Sequence, residues 1–439
     1  MKIAPWAMLL AAASWVTAPA EEPARPTRLG SHDAAYASDG SLRPWTSWTD
    51  ALAREMAWYQ RCPSDHGYPR FVTLTFMDGA FQPIAGRSDF IPATQDGLGI
   101  ISYLKYYQFT GRSHPEFLRT ARLMADFLLR EAVTPNDGKY PRFPRSTGHR
   151  GVFPQPPDCG SQDDHPFEIQ PDKGGLVGFA LMELAGETGD QAYAEAARQI
   201  ARRLVANMRT GDHDHSPWPF RVDYRSGRAR GEVSGNMTYI LRLFDRLLAR
   251  GDREFSEPRS ALWRWIHDCQ LPDAGRDGRL WVQFFEDHHN ETNRTAWAPL
   301  ALAAYILEER ERLSPTWQTD ARSLIEFVNR NFVRTRFGVA VCGEQDEDFD
   351  PWGGINSTWG AVLARYTAAT GSPEYRHRAE QALTFCLYAI DDDGCPRDSL
   401  VNPQRGGWQE DAHTDKVHNI VDALVACPEW GRPSGAAAK

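Results

Sequence analysis

No two cysteines in this chain have the CxxC spacing of a zinc ribbon or a redox dithiol, and the seven present are scattered from Cys62 to Cys427. Basic residues are outnumbered by acidic ones, 49 to 58. The formal net charge is −9 and there is no Lys/Arg-rich run, so the cationic surface that a nucleic-acid binder needs is missing. After the first twenty residues no apolar run is long enough to span a bilayer, which excludes a polytopic membrane protein. Disorder is excluded by what is present: 41% hydrophobic and 11% aromatic residues against 24% charged are ample material for a core.

The amino terminus reads as an export leader. Lys2 precedes a mainly apolar stretch from Ile3 to Val16 and a small-residue site at Ala18-Pro19-Ala20, so residues 1–20 are expected to be removed and the mature chain to begin near Glu21. Retention of this segment as a membrane anchor is the alternative, although the stretch is shorter than the ~20 residues a spanning helix requires. The mature protein is expected to be secreted or periplasmic, with no membrane partner. An oxidising compartment permits disulfides, and Cys342 with Cys395, each placed just beyond successive outer helices, is the preferred pair. The odd count leaves at least one thiol free, and most of the cysteines read as small buried apolar residues.

Length alone suggests two or three domains, but a repeat argues for one. Helix starts marked by Gly, Asn or Thr before an apolar run occur near Gly97, Gly174, Ser234, Thr295, Gly353 and His413, at intervals of 77, 60, 61, 58 and 60 residues. Each opens a helix such as LVGFALMELAG, apolar on most sides, as a helix buried on two faces must be. Four of these helices reach a related polar turn, TGRSHPEF, TGDQAY, RGDREF or TGSPEY, in which Gly closes one helix and Ser or Asp caps the next. The following helices are amphipathic: Tyr193, Ala197, Ile200 and Leu204 fall on one stripe, as do Tyr375, Ala379, Ala382 and Cys386. Six inner and six outer helices result if the helix from about Trp45 to Tyr59 serves as the outer partner of the last inner helix, His413 to Ala426.

The predicted fold is therefore all-α, an (α/α)6 toroid over residues 21–430, followed by a disordered tail. An open solenoid is less favoured, because solenoid repeats run to roughly 34–47 residues and lack long loops after every second helix. The long connections, including the proline-rich insertion from Asn136 to Pro171, all fall where outer helices hand over to inner ones. A cleft is expected on that face.

Polar residues cluster at the inner-helix starts: Asp96, Asp172 with Lys173, Asn236, Arg294, Asn356, and the run holding Asp411, His413, Asp415, Lys416, His418 and Asn419. Capping accounts for Asp, Asn, Ser and Thr there. It does not account for lysines after Asp172 and Asp415, which oppose the helix dipole and suit a substrate carboxylate. Trp218, Trp352, Trp359 and Trp408, with Phe220, Trp281, Phe284 and Phe285, fall in or beside the same loops and offer flat faces for a sugar ring, or else cover the core rim. His213-Asp214-His215, Asp287-His288-His289 and Asp411 with His413 lack the helical spacing of a zinc motif, so solvated loop histidines are the default reading and neither metal nor cofactor is expected.

From residue 45 to 427 the chain resembles the six-hairpin glycosidase-like superfamily, through hairpins of about 60 residues, TGDxxY-like turns and acids at inner-helix starts. The resemblance implies a carbohydrate substrate and, in the leading reading, a glycoside hydrolase acting on a uronic-acid-containing glycan. Asp96 and Asp172 are similar in placement to the aspartates of unsaturated glucuronyl hydrolases, with Asp415, Asp411 and Glu286 in reserve. Lys173, Lys416 and Arg294 would hold a carboxylate, and the asparagines and tryptophans would line subsites. The alternatives are a polysaccharide lyase using His413 or His418 with Lys416, Asn419 and Arg294, a non-catalytic glycan-binding toroid, and epimerase or isomerase chemistry.

Overall fold

The computed structural model describes residues 25–62, 64–65, 67–69, 92–146, 167–282, 292–336, 339–347, 349, 353–396 and 414–431. The proposed leader and the tail beyond Gly431 lie outside the described residues. Twelve helices are found among those described: α1 (Trp48–Arg61), α2 (Pro92–Phe109), α3 (Pro115–Arg130), α4 (Pro171–Thr188), α5 (Gln191–Ala206), α6 (Thr238–Ala249), α7 (Ser256–Trp265), α8 (Trp297–Glu309), α9 (Trp317–Phe332), α10 (Gly353–Thr370), α11 (Arg376–Leu387) and α12 (Thr414–Ala426). A π-helical turn, Ile266–Gln270, carries α7 on to a last short turn, Leu271–Asp273.

The even-numbered helices form the inner ring. Each packs on the next, from α2 through α4, α6, α8 and α10 to α12, and α12 packs back on α2, which closes the circle. Outer helices α3, α5, α7, α9 and α11 lie on the inner helices that precede them. The ring is completed by α1, which rests on the turn Pro428–Gly431 just beyond α12, where the Thr49 hydroxyl donates to Gly431 O (2.7 Å). Ser47 caps α1 by accepting from Asp50 N–H, so the helix starts three residues later than the hydrophobic pattern suggests.

The starts of the inner helices differ from the sequence reading in an instructive way. Pro92 and Pro171 open α2 and α4, a position where the missing N–H costs nothing and the ring pre-sets φ. Gly353 does open α10, whereas Gly97 and Gly174 lie inside α2 and α4 and serve close packing instead. A Cβ at Gly175 would stand 2.8 Å from the backbone N of Ile240, so α4 and α6 approach at a distance only glycine allows.

At their carboxyl-terminal halves the inner helices are joined by a belt of charge. Lys105 on α2 pairs with Asp422 on α12, and Asp422 with Arg365 on α10 (3.5 Å). Arg365 reaches Glu308 on α8 (3.8 Å), Glu308 pairs with Arg242 on α6 (2.6 Å), and Arg246, also on α6, pairs with Glu183 on α4 (2.5 Å). Gln108 on α2 donates to Glu187 on α4 (2.9 Å), so all six inner helices take part. A hollow of about 390 Å³ at this end is lined in part by Glu308, Arg365 and Asp422. Ions so enclosed are tolerable because each has an opposite partner.

Long chain segments collect at the other end, as expected: the described connections 131–146, 207–237, 274–282 and 292–296 all lie between an outer helix and the amino terminus of an inner one. Several small antiparallel strand pairs stiffen them, such as Val333–Arg336 with Val339–Cys342. No described helix is long and apolar enough to cross a membrane.

The expected Cys342–Cys395 pairing is not made. Both residues carry thiols: Cys342 ends a strand whose backbone is held by Asn356 on α10, whereas Cys395 belongs to the turn after α11 and lies beside Cys62.

The belt makes a prediction. Burial alone would raise the Glu308 carboxyl, but Arg242, Arg365 and Arg246 outweigh it and hold it down to about 2. A carboxyl depressed in the folded state contributes stability above its unfolded value, near 4.5, and loses that contribution as pH falls toward 2. Because about a third of the Glu308 side chain still meets solvent, the contribution is reduced to roughly 2 kcal/mol. Glu308→Gln should lose about that much at pH 7 and show a flatter decline between pH 4.5 and 2, measured by denaturant unfolding across pH; an unchanged midpoint and pH profile would show the belt to be energetically idle.

Candidate active site

The site builds up from one short segment. Residues Phe143–Ser146 run between the amino termini of α2 and α4: Arg145 O accepts from Ala93 N–H at the start of α2 (3.2 Å), and Ser146 Oγ accepts from Gln170 N–H just before α4 (3.0 Å). The segment is itself fixed to the chain beyond α3, where Arg145 N–H donates to Ala132 O (2.9 Å) and Phe143 N–H to Thr134 Oγ1 (2.8 Å). Gln95 and Asp96 of α2, Asp172 of α4, Gln170, Arg145 and Ser146 are all buried around this junction.

A second segment brings in another cation. The strand Arg221–Asp223 pairs antiparallel with Glu168–Ile169, with Val222 opposite Ile169, so Arg221 is carried alongside Gln170 and close to Asp172. Arg221 is fully buried, its guanidinium 4.3 Å from the centre of the Phe220 ring. Lys173 places Nζ 3.4 Å from Asp172 Oδ2. Such a concentration of buried charge is costly and needs a compensating use.

Asp172 is the focus of the junction. Burial pushes its carboxyl above the ordinary value, while Lys173 and, more weakly, Arg221 pull in the opposite direction. Its Oδ1 atom is buried and takes no hydrogen bond among the described residues. A buried carboxyl of raised pKa at an inner-helix amino terminus is suited to general acid–base work.

The opposite side of the ring is built differently. Arg294 does not face a cavity as an unpartnered cation, since its guanidinium bonds Asp346 (2.7 Å) and Asn331 (3.2 Å). Asn356 is committed to both backbone groups of Cys342, at 2.8 and 2.9 Å. Asn419 donates to Thr358 Oγ1 (2.6 Å), and His418 lies buried with Nδ1 3.0 Å from the Ser102 hydroxyl. These residues tie α12 to α10 and α2. Asn236 is partly exposed, its N–H donating to Ser234 Oγ (3.3 Å).

Two of the tryptophans are corrections. Trp218 is wholly buried, with Nε1 donating to Leu204 O (2.9 Å), and Trp359 is wholly buried, with Nε1 donating to Asn329 (3.1 Å). Neither has a face to offer a sugar, because the large indole area stabilises the layer between inner and outer helices instead. Trp281 is core as well. Trp352, Trp408, Asp411, His413, Glu286, Phe284, Phe285 and the 287–289 histidine run lie outside the described residues, as do the side chains of Asp415 and Lys416. His215 pairs with Asp212 in an exposed loop (2.9 Å), and among the described residues no group of three His, Cys, Asp or Glu could hold a metal.

Sequence reading passed over Arg145, Gln170 and Arg221. FRVDY alternates apolar and charged residues, a pattern that places Arg221 on the exposed face, and its burial follows from the pairing of this strand with Glu168–Ile169 beside α4. Arg145 carries no signal either, since its burial depends on the packing of two distant helix starts.

No family model matches the chain, and no curated protein does. Among solved structures, a D-mannose isomerase superposes with a TM-score of 0.63 at 11% identity, covering 86% of this chain and 96% of that one. A family 76 glycoside hydrolase from a bovine Bacteroides thetaiotaomicron strain gives 0.57 at 12% identity over 88% and 78% of the two chains, and a polysaccharide lyase 0.55 at 12% over 89% and 98%. Trp218→Ala is expected to cost ~3–5 kcal/mol of folding stability, measured by chemical denaturation, and a loss below about 1 kcal/mol would return this residue to the cleft. With three reaction types on one architecture at such low identity, the likeness establishes the fold alone: the chain is an (α/α)6 toroid of six helical hairpins.

Proposed function

We propose that the protein is a carbohydrate-active enzyme, a glycoside hydrolase acting on uronic-acid-containing oligo- or polysaccharide, secreted or periplasmic once its leader is removed. The observation that carries the reading is Asp172: a buried carboxyl with a raised pKa and an unused oxygen, set beside Lys173 and Arg221. Hydrolysis needs an acid that protonates the leaving oxygen and a carboxylate that activates water or attacks the sugar. Asp172 supplies the first. Asp96, buried at the start of the neighbouring inner helix, supplies the second.

In this reading Asp172 gives its proton to the glycosidic oxygen as the bond from that oxygen to the anomeric carbon breaks. Asp96 takes a proton from the water that adds to the carbon. Lys173 and Arg221 hold the sugar carboxylate, the role first assigned to Lys173, Lys416 and Arg294, with Arg294 now engaged by Asp346. The fold neighbours support a sugar substrate in general, since an isomerase, a glycoside hydrolase and a lyase share the scaffold.

Uronic-acid polysaccharides should yield new reducing ends without ultraviolet absorbance; an unsaturated chromophore would assign elimination, and an epimerised product with no new ends would assign isomerase chemistry. Asp172→Asn and Asp96→Asn should each lower kcat by about 10²–10⁴-fold with circular dichroism unchanged, and near-normal turnover in both removes them as catalysts. Activity should fall as pH rises through the pKa of Asp172, because the acid must be protonated. Lys173→Met removes a charge that lowers this pKa, so the alkaline limb should move to higher pH while KM for a uronate rises. A limb that stays in place would separate Lys173 from the acid.

A further inference from the structure

Two cysteines come together at the seam where the ring is closed. Cys62 follows the last residue of α1, its N–H donating to Tyr59 O (3.2 Å), and Cys395 ends the tight turn after α11 in which Asp391 N–H donates to Cys395 O (2.9 Å). The helix and the turn are pressed together along their length. Arg54 donates to Asp392 O (3.2 Å) and Arg61 to Asp393 O (2.7 Å), and a Cβ at Gly394 would stand 2.1 Å from Arg54 O and 3.0 Å from Glu55 N. The turn is held from its other side by the amino-terminal strap, where His32 bonds Ile390 O (2.7 Å) and the Ser31 hydroxyl donates to Asp391 (2.7 Å).

Cys62 and Cys395 are thus neighbours of residues already in contact, and both are buried. Burial raises the Cys62 thiol well above its usual value, and the Cys395 sulfur beside it raises it further. Both carry thiols in this structure. Thiols so placed react poorly once the chain has folded, but during folding they are exposed and are brought together by the contacts just described.

We propose that Cys62 and Cys395 are a disulfide site, oxidised as the chain folds, that staples the ring-closing helix α1 to the turn after α11. Two thiols lose two protons and two electrons to a disulfide oxidant such as glutathione disulfide, which leaves as two thiols, and one S–S bond forms. The closed loop includes all the helices from α2 to α11, so the cross-link restricts the unfolded chain strongly. This inference does not depend on the proposed catalytic reaction.

The test is a disulfide map of the full chain. Reduced, denatured protein is refolded in glutathione and glutathione disulfide, free thiols are alkylated in denaturant, and peptides are mapped without reduction. Expected is one cross-linked pair holding residues 62 and 395, lighter by two hydrogens than its parts, with two of the seven cysteines protected. Reductant should lower the Tm of the wild-type protein by several degrees and leave that of Cys62→Ser unchanged. Alkylation of both Cys62 and Cys395, or linkage of either to another cysteine, overturns the proposal. The wild-type map decides even where the variant does not fold.

Discussion

The structure depends on six inner helices being held side by side in a closed circle, with no free edge at which a hairpin could peel away. Each inner helix is apolar on most of its surface, and only closure hides that surface on both flanks. Two devices bring the helices together. Toward their amino termini, α4 and α6 touch at Gly175, where any side chain would strike the backbone of α6. In their carboxyl-terminal halves, a chain of ion pairs from Lys105 through Asp422, Arg365 and Glu308 to Arg246 and Glu183 links one helix to the next.

Closure has a consequence at the end where the long connections gather. Amino termini of neighbouring helices are forced close together, and with them whatever polar residues stand there. Around α2 and α4 this yields the junction of Asp96, Asp172, Lys173, Gln170, Arg145 and Arg221, joined by the segment Phe143–Ser146. On the far side the polar groups satisfy one another: Asn356 with Cys342, Arg294 with Asp346, Asn419 with Thr358. The ring is nearly symmetric in its helices and unsymmetric in its chemistry. Such a division suits a substrate site on a rigid scaffold, since one half holds shape while the other gathers charge.

Much of the architecture was legible because it is written in periodic signals. The apolar runs of the inner helices, the stripes of the outer ones and the repeated Gly-polar turns give the count and alternation, and α1 docks beside α12 as the count demands. Helix starts were less legible, since Gly97 and Gly174 resemble boundaries yet lie within helices begun by Pro92 and Pro171. In the site, Asp96, Asp172 and Lys173 could be singled out because they stand against the local pattern. Trp218 and Trp359 misled because an indole before or within an apolar run reads the same whether it points to solvent or to the core. Arg145 and Arg221 come from loops whose burial is decided by tertiary contacts alone.

Direct observation of a bound sugar addresses the central claim, that ring closure gathers a buried acid and fixed cations at the α2–α4 junction into a sugar site. The measurement is a crystal structure of Asp172→Asn soaked with a uronic-acid oligosaccharide. The account predicts a sugar ring at the α2–α4 junction, its carboxylate on Lys173 and Arg221 and a glycosidic oxygen within hydrogen-bond reach of residue 172. Sugar bound across the α8–α10 side of the ring, with this junction filled by protein side chains, would contradict it.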